Sequence, residues 1–216
     1  EAPSSFLDQD TRFKMGSQAV KLAREVQYYS AGTVEFVVNP NKEFYFLEMN
    51  TRLQVEHPVT ETITGIDLVE QMIDIADNKK LKFKQDDIVV KGWSFESRLC
   101  GESPIKNFLP SAGRIKELSF PKENIRIDSG YQSGGEVSIY YDSLLAKIIS
   151  KGNNRKDAIN VMQKALQEVC IDGIDTNIDF LMDIFKNKNF ISGDINTNFI
   201  EEVYKSGYRA ETSNKN

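Results

Sequence analysis

The chain has 216 residues, of which 40% are hydrophobic and 27% are charged, and its formal net charge is −5. This composition is typical of a globular protein, and the acidic balance excludes the basic proteins that bind nucleic acids through their phosphates. No apolar run reaches the length of a membrane-spanning helix. Two cysteines and one histidine are too few for a disulfide framework or a zinc site. We therefore expect a reducing compartment, either the cytoplasm or the mitochondrial matrix.

The first part of the chain alternates helical and strand patterns. Apolar residues at helical spacing predict a helix over 12–30 that ends at Gly32. Two β-branched and aromatic segments, 33–38 and 43–49, flank a turn and predict a hairpin. A polar segment without periodicity follows, and Thr64 with Asp67 resembles a capping box before a predicted helix at 67–77.

A charged run at 78–87 marks a change in the character of the sequence. Beyond it, strand patterns are broken by Gly, Pro and Asn, and helical patterns return near the end. The predicted strands are 88–100, 113–120, 124–130, 137–142 and 144–152, and the predicted helices are 155–169, 176–187 and a short one at 196–204. Strands followed by helices are typical of an α+β fold with a mainly antiparallel sheet. We predict two domains, 1–82 and 83–208, and a polar tail at 209–216.

Two carboxylates lie within the apolar strands of the predicted hairpin. Glu35 lies in the first strand. In the second strand, Glu48 follows Phe44 and Phe46 on one face, and Asn50 continues that face. Buried carboxylates are costly unless a cation pairs with them, and Mg²⁺ takes carboxylate oxygens while sharing its shell with substrate phosphates. The alternative is that Glu35 and Glu48 face water at the edge of the sheet.

Polar side chains crowd the segment that follows the second strand. Within six residues lie Arg52, Gln54, Glu56 and His57. Arg52 offers a planar fork for an oxyanion or phosphate, and Glu56 is a candidate general base. Binding groups concentrate in loops of this kind. Alternatively, the segment is a solvated connection, and His57 is a structural hydrogen-bonding residue before Pro58.

The segment FYFLEMNTRLQVEHPVTE, residues 44–61, resembles the signature of the biotin carboxylase component of biotin-dependent carboxylases. The resemblance extends from residue 1 to residue 208 and includes GTVEF at 32–36, ESR at 96–98, FLPSAGRI at 108–115, YYDSLLAKII at 140–149 and DGIDTN at 172–177. It implies the C-terminal part of an ATP-grasp domain followed by the biotin carboxylase C-terminal domain. It also implies a ligase that uses ATP with Mg²⁺ or Mn²⁺, and bicarbonate, to carboxylate biotin through carboxyphosphate.

The resemblance further implies two groups of site residues in the first domain. The metal ligands are Glu35, Glu48 and Asn50. The bicarbonate site comprises Arg52, Gln54, the backbone of Val55 and Glu56. In this scheme Arg52 and Glu56 are catalytic, and Glu56 is the base that deprotonates bicarbonate for attack on the γ-phosphate.

Arg98 lies beyond the predicted domain boundary. The resemblance implies that it stabilises the enolate oxygen formed when N1′ of biotin loses its proton, and that it converges with Arg52 on one cleft. From the residues alone, an ion pair with Glu96 is the more common role for such an arginine. The sequence also departs from the family at Ser103, where an acidic residue is common.

Partners are implied by what the sequence does not contain. It has neither the glycine-rich lid of ATP-grasp enzymes nor the Met-Lys-Met-like segment that carries biotin. The implied partners are the missing N-terminal half of the carboxylase, a biotinylated carrier domain and a carboxyltransferase subunit, with no nucleic acid and no membrane. Because the sequence opens with Glu1, we expect a piece of a longer polypeptide that does not catalyse turnover by itself.

The segments 91–98, 125–134 and 138–142 resemble the propionyl-CoA branch of the family more than the acetyl-CoA branch. No residue of this region is expected to handle the acyl-CoA itself. Two other functions stay open. One is a different ATP-grasp ligase that makes an acyl phosphate for an amine, since its metal carboxylates would be the same. The other is an assembly module of a larger complex.

Overall fold

The computed structural model describes residues 1–205 and 207–208, so the tail predicted at 209–216 lies outside the described residues. The chain divides into two compact units, Glu1–Gly92 and a second unit that begins at Trp93. The elements of the first unit are α1 (Gln9–Glu25), β1 (Thr33–Val38), β2 (Phe44–Asn50), α2 (His57–Thr64), α3 (Leu68–Ala76) and a 3₁₀ turn at Gln85–Asp87. Strands β1 and β2 form the predicted antiparallel hairpin.

Helix α1 starts at a side-chain cap and ends earlier than the apolar periodicity predicts. The Asp8 carboxylate accepts a hydrogen bond from the backbone N–H of Thr11 at 2.8 Å, and this bond lowers the pKa of Asp8. The helix ends at Glu25, because Gln27 adopts a positive φ of 52° that a right-handed helix does not contain. The predicted end at Gly32 is therefore wrong.

The hairpin contains a one-residue bulge that decides which side chains share a face. On the turn side of the bulge, Phe36 lies opposite Phe46. On the other side, Glu35 lies opposite Glu48, so Leu47 is the extra residue on β2. Opposed residues of an antiparallel pair share a face, and neighbouring residues of one strand do not. Glu48 therefore shares the face of Glu35, and the prediction that it shares the face of Phe46 is wrong.

The second unit opens with strands and closes with helices, as predicted. Its strands are β3 (Trp93–Cys100), β4 (Glu102–Ser103), β5 (Leu109–Pro110), β6 (Gly113–Arg114), β7 (Glu117–Ser119), β8 (Ile125–Ser129), β9 (Glu136–Val137), β10 (Leu144–Gly152) and β11 (Cys170–Asp172). Its helices are α4 (Arg155–Glu168), α5 (Ile178–Lys186), α6 (Lys188–Ser192) and α7 (Phe199–Val203), with a 3₁₀ turn at Pro104–Lys106. The strand predicted over 137–142 ends at Val137, and Tyr140 and Tyr141 are exposed in the turn that follows.

A three-stranded antiparallel sheet in the order β3-β10-β8 forms the centre of this unit. Helix α4 packs on it and buries Ala158, Met162 and Leu166 on one stripe. On β10, Ile148 is fully buried in the same core. The chain passes close to α4 at Gly152, where a Cβ atom would lie 2.2 Å from the backbone nitrogen of Ala158. Only glycine fits this approach of strand to helix.

Candidate active site

The two hairpin carboxylates face each other and share one amide. Glu35 lies directly opposite Glu48. The Asn50 amide nitrogen donates to Glu35 Oε1 at 2.8 Å and to Glu48 Oε1 at 3.1 Å. The Gln54 amide nitrogen donates to the same Glu35 oxygen at 2.8 Å. Four of the residues predicted from the sequence therefore lie in one hydrogen-bonded cluster, which we call the carboxylate cluster.

Arg52 borders the carboxylate cluster and is exposed. Its Nη2 atom lies 3.5 Å from Asn50 Oδ1, and its Nη1 atom donates to the carbonyl of Leu53 at 3.3 Å. Asn50 thus links the guanidinium to the two carboxylates, and the guanidinium forms no tight ion pair with either of them. An anion that enters here would meet a planar cationic donor.

Val55 and Glu56 lie in the turn that leads into α2, and Glu56 is exposed at the start of the helix. The sequence did not predict α2, because its residues are mostly polar and it starts with Pro58 in its first turn. The His57 Nδ1 atom lies 2.8 Å from the carbonyl oxygen of Gln54. This contact supports the structural role for His57 and fixes the turn that presents Glu56.

A cavity of about 420 Å³ adjoins this turn within the first unit. Its lining includes Arg52, Gln54 and Glu56 together with residues 30–33. A guanidinium, a carboxamide and a carboxylate on one cavity are suited to a small polar anion that must be both held and deprotonated. Val55 lies beside these residues in sequence and does not line the cavity.

The carboxylate cluster suits a hard divalent cation that also contacts a phosphate. Within residues 1–205 and 207–208, no group of three or more His, Cys, Asp and Glu side chains is arranged to hold a metal ion. The carboxylates available at this site are those of Glu35 and Glu48. The Asn50 side chain now directs its amide nitrogen at them, and it would add an amide oxygen if it rotated. This incomplete oxygen set fits Mg²⁺ or Mn²⁺, which takes its other ligands from substrate and water.

Arg98 lies on β3 in the second unit, and its side chain is exposed. Its backbone carbonyl accepts a hydrogen bond from the Asn177 amide at 3.0 Å, and the Asn177 Oδ1 atom accepts from the backbone N–H of Cys100 at 2.9 Å. Asn177 is buried and holds the strand on both sides of Leu99. No sequence pattern predicted this clamp. The convergence of Arg98 with Arg52 stays a prediction, since the two arginines belong to different units.

Cys100 follows Arg98 by two positions. Burial, with the negative charge of Glu102 next in importance, raises the pKa of the Cys100 thiol to about 11. At neutral pH this cysteine is a protonated thiol and a poor nucleophile. Cys100 therefore serves as a small packing residue and not as a reactive group.

Two family models match the chain. The model of the biotin carboxylase C-terminal domain matches residues 96–202. The model of the carbamoyl-phosphate synthase L chain ATP-binding domain matches residues 1–84. None of the helices in the described ranges is long and apolar enough to cross a membrane.

Similar proteins are known over nearly the whole chain. The propionyl-CoA carboxylase alpha chain of Sus scrofa, which is mitochondrial, is 51% identical over 97% of this chain. Biotin carboxylase 1 of Bacillus subtilis is 46% identical over 93% of it. The chain spans 29% and 45% of the lengths of these two relatives.

Among solved structures, the biotin carboxylase domain dimer of Hydrogenobacter thermophilus 2-oxoglutarate carboxylase superposes with a TM-score of 0.93. It is 43% identical, and the match covers 97% of this chain and 47% of that one. That structure was determined in complex with MgADP, ADP and bicarbonate. Sequence and fold agree, and the chain therefore carries a biotin carboxylase C-terminal domain at residues 96–202, preceded by an ATP-binding domain of the carbamoyl-phosphate synthase L chain type at residues 1–84.

Proposed function

We propose that the chain is the C-terminal part of a biotin carboxylase that uses MgATP and bicarbonate to carboxylate biotin on a carrier domain. The observation that carries the proposal is the carboxylate cluster, in which Glu35, Glu48 and Asn50 join in one network next to Arg52. In a complete enzyme, residues 1–82 would be the last part of the ATP-grasp domain and residues 83–208 would form the C-terminal domain. The bicarbonate and MgADP found with a relative of the same fold support this proposal.

The chemistry can be assigned to residues of this chain. Glu35, Glu48 and Asn50 would hold Mg²⁺ or Mn²⁺, which would neutralise charge on the phosphates of ATP. Arg52, with Gln54, holds bicarbonate at the cavity beside α2. A guanidinium and an amide are donors that stabilise an oxyanion beside a metal-bound nucleotide.

Two proton transfers complete the scheme. Glu56 takes the proton of bicarbonate, and the freed oxygen attacks the γ-phosphate of ATP to form carboxyphosphate and ADP. Arg98 stabilises the negative charge on the ureido oxygen of biotin after N1′ loses its proton, which makes N1′ nucleophilic. The carboxyl group of carboxyphosphate passes to N1′, and the phosphate that leaves takes the proton of N1′.

The final acceptor, to which carboxybiotin passes the carboxyl group, is proposed to be propionyl-CoA. The identity of 51% to the pig propionyl-CoA carboxylase alpha chain supports this branch of the family. A biotinylated carrier domain and a carboxyltransferase subunit are the proposed partners, and an N-terminal half supplies the remaining ATP-binding residues. Cytoplasm, or the mitochondrial matrix in a eukaryote, is the proposed location.

The test is ATP hydrolysis by the complete carboxylase, with Mg²⁺ and bicarbonate, in the presence and absence of free biotin. Biotin should stimulate hydrolysis. Arg98→Ala should lower the stimulated rate by about 10²-fold, and Glu56→Gln should lower it by about 10²-fold or more. Arg24→Ala and Glu25→Gln, at exposed positions near the end of α1, are the matched controls and should leave it unchanged.

One alternative gives a different outcome in the same assay. The match of residues 1–84 to an ATP-binding domain of carbamoyl-phosphate synthase keeps open a ligase that delivers an acyl phosphate to an amine. A rate of ATP hydrolysis that does not change with biotin and increases with an amine would establish that alternative. The roles of Glu56 and Arg98 would then be withdrawn.

A further inference from the structure

Arg98 is one member of a row of charged residues that crosses the central sheet of the second unit. On β10, Lys147 lies directly opposite Arg98 of β3. The same Lys147 lies directly opposite Asp128 of β8. Opposed residues of antiparallel strands share a face, with Cβ atoms about 5 Å apart. The three side chains therefore stand side by side on one face, in the order Arg98, Lys147, Asp128.

The far end of the row is a tightly held ion-pair network. The Lys147 ammonium lies 3.4 Å from Asp128 Oδ2, and only 13% of the Lys147 side chain is exposed. Arg126 binds the same carboxylate with two hydrogen bonds, from Nε at 2.9 Å and from Nη2 at 3.0 Å. Burial alone would raise the pKa of Asp128, but Arg126 and Lys147 together lower it. Asp128 is thus a carboxylate at neutral pH, occupied by two cations.

This network matters for Arg98 because Asp128 is a carboxylate on the same face, two strands away. Neighbouring strands lie about 4.8 Å apart, so Asp128 is near the limit of the reach of an arginine side chain. A guanidinium that folded across the sheet to reach it would be lost to the substrate. The Lys147 ammonium stands between them, occupies the carboxylate and repels the guanidinium.

We propose that Lys147 is a positioning residue for Arg98, which keeps the guanidinium directed away from Asp128 and toward biotin. The inference rests on the proposed function, since it concerns the biotin half of that reaction. It assigns no contact between Lys147 and substrate. Lys147 acts through its charge and through its attachment to Asp128, so a cation at this position should be needed and a hydrophobic side chain of similar length should not suffice.

The test is Lys147→Met in the complete carboxylase, assayed as above. We expect the biotin-stimulated rate to fall about tenfold and the KM for biotin to rise, because misplacing a catalytic group by about 1 Å costs one to two orders of magnitude. Bicarbonate-dependent hydrolysis without biotin should stay within about twofold, since it does not use Arg98. Lys147→Arg keeps the charge and should keep most of the stimulated rate. Lys151→Met, four residues along the same strand and exposed, is the matched control.

A second pair of variants separates positioning from a loss of folding. Asp128→Asn removes the carboxylate that would draw the Arg98 guanidinium, so combining it with Lys147→Met should restore most of the biotin-stimulated rate that Lys147→Met loses. In an Arg98→Ala background, Lys147→Met should have less than about a twofold further effect, because a residue that acts through Arg98 has nothing left to position. A Lys147→Met defect that Asp128→Asn does not relieve, or an undiminished effect of Lys147→Met without Arg98, would overturn the inference.

The assay also distinguishes this inference from the proposed function. If wild-type enzyme shows no stimulation by biotin, the proposed function fails. If wild type is stimulated and Arg98→Ala abolishes the stimulation, while Lys147→Met behaves like Lys151→Met, only the positioning role fails.

Discussion

Glu35 is the residue on which the carboxylate cluster depends, since it accepts hydrogen bonds from both Asn50 and Gln54 through one oxygen. Glu35→Gln keeps the shape and removes the charge. We expect the Mn²⁺ affinity of the nucleotide-bound complete enzyme to fall about tenfold or more, because changes near a metal commonly cost one to two orders of magnitude. Electron paramagnetic resonance of free Mn²⁺ measures this affinity.

The control for this prediction is Glu25→Gln, an exposed carboxylate at the end of α1. It removes the same charge from the same unit and should leave the affinity unchanged. Equal affinities in Glu35→Gln and wild type would show that Glu35 is not a metal ligand. Gln54 should then be regarded as a packing partner of an ordinary edge carboxylate.

Sequence reasoning placed Glu35, Glu48 and Asn50 close together because each step was local. Strand patterns placed Glu35 and Glu48 on adjacent strands, and Asn50 two positions beyond Glu48 had to share its face. It failed to predict which side chains share a face, because no residue pattern indicates that the strand pairing skips Leu47. Lys147 and Asp128 were not singled out either, because their meeting depends on a register between strands that are distant in sequence.

At the scale of elements, the clamp made by Asn177 joins the start of α5 to the end of β3. It pairs the carbonyl of Arg98 and the N–H of Cys100, and both bonds lie close to buried core. Asn177→Ala leaves these groups without protein partners, at a cost of about 2 kcal/mol. We expect hydrogen exchange of the Cys100 amide in the complete enzyme to accelerate about tenfold or more.

Asn198→Ala is the matched control, because Asn198 precedes α7 without a side-chain capping bond. It should leave exchange at Cys100 unchanged. Asn177→Asp keeps the acceptor for Cys100 and loses the donor to Arg98, so its effect should be intermediate. A Cys100 amide that exchanges at the wild-type rate in Asn177→Ala would contradict the clamp.

Elements with a strong apolar period were predicted well. Helix α4 buries residues on one stripe, and its predicted range of 155–169 differs from Arg155–Glu168 by a single residue. Helix α2 was missed because it buries its residues without an apolar stripe long enough to recognise, and α1 was overextended because apolar residues continue past its last turn. Periodicity reports burial, and it does not report the positive φ at Gln27 that stops the helix.

At the scale of the whole molecule, apolar side chains are exposed on the first unit. Phe13 is 75% exposed and Tyr29 is 78% exposed, both in or just after α1. We expect the isolated 216-residue chain to associate with increasing concentration in sedimentation velocity, because exposed apolar patches drive contacts between proteins. Phe13→Ser together with Tyr29→Ser should reduce that association. The isolated chain should also show no biotin-dependent ATP hydrolysis.

A monodisperse chain at all concentrations would instead favour the assembly module, whose surface is closed without a partner. Lys14→Ser with Lys21→Ser changes the same helix without removing apolar area and is the control. If this pair reduces association as much as the apolar pair, charge and not apolar surface drives the contact. Turnover by the isolated chain would show that its residues suffice for catalysis.

The bulge at Leu47 has a consequence for how this protein tolerates change. Leu47 is exposed, so many side chains would serve at its position. Deleting Leu47 would close the bulge into a regular ladder that keeps Phe46 opposite Phe36 and Glu48 opposite Glu35, so both faces of the hairpin would be preserved. Inserting one residue between Glu48 and Asn50 is a different matter, since the strand would turn over by half a period there and carry Asn50 to the face away from Glu35. The carboxylate cluster therefore tolerates a change of length at the bulge that it would not tolerate between Glu48 and Asn50.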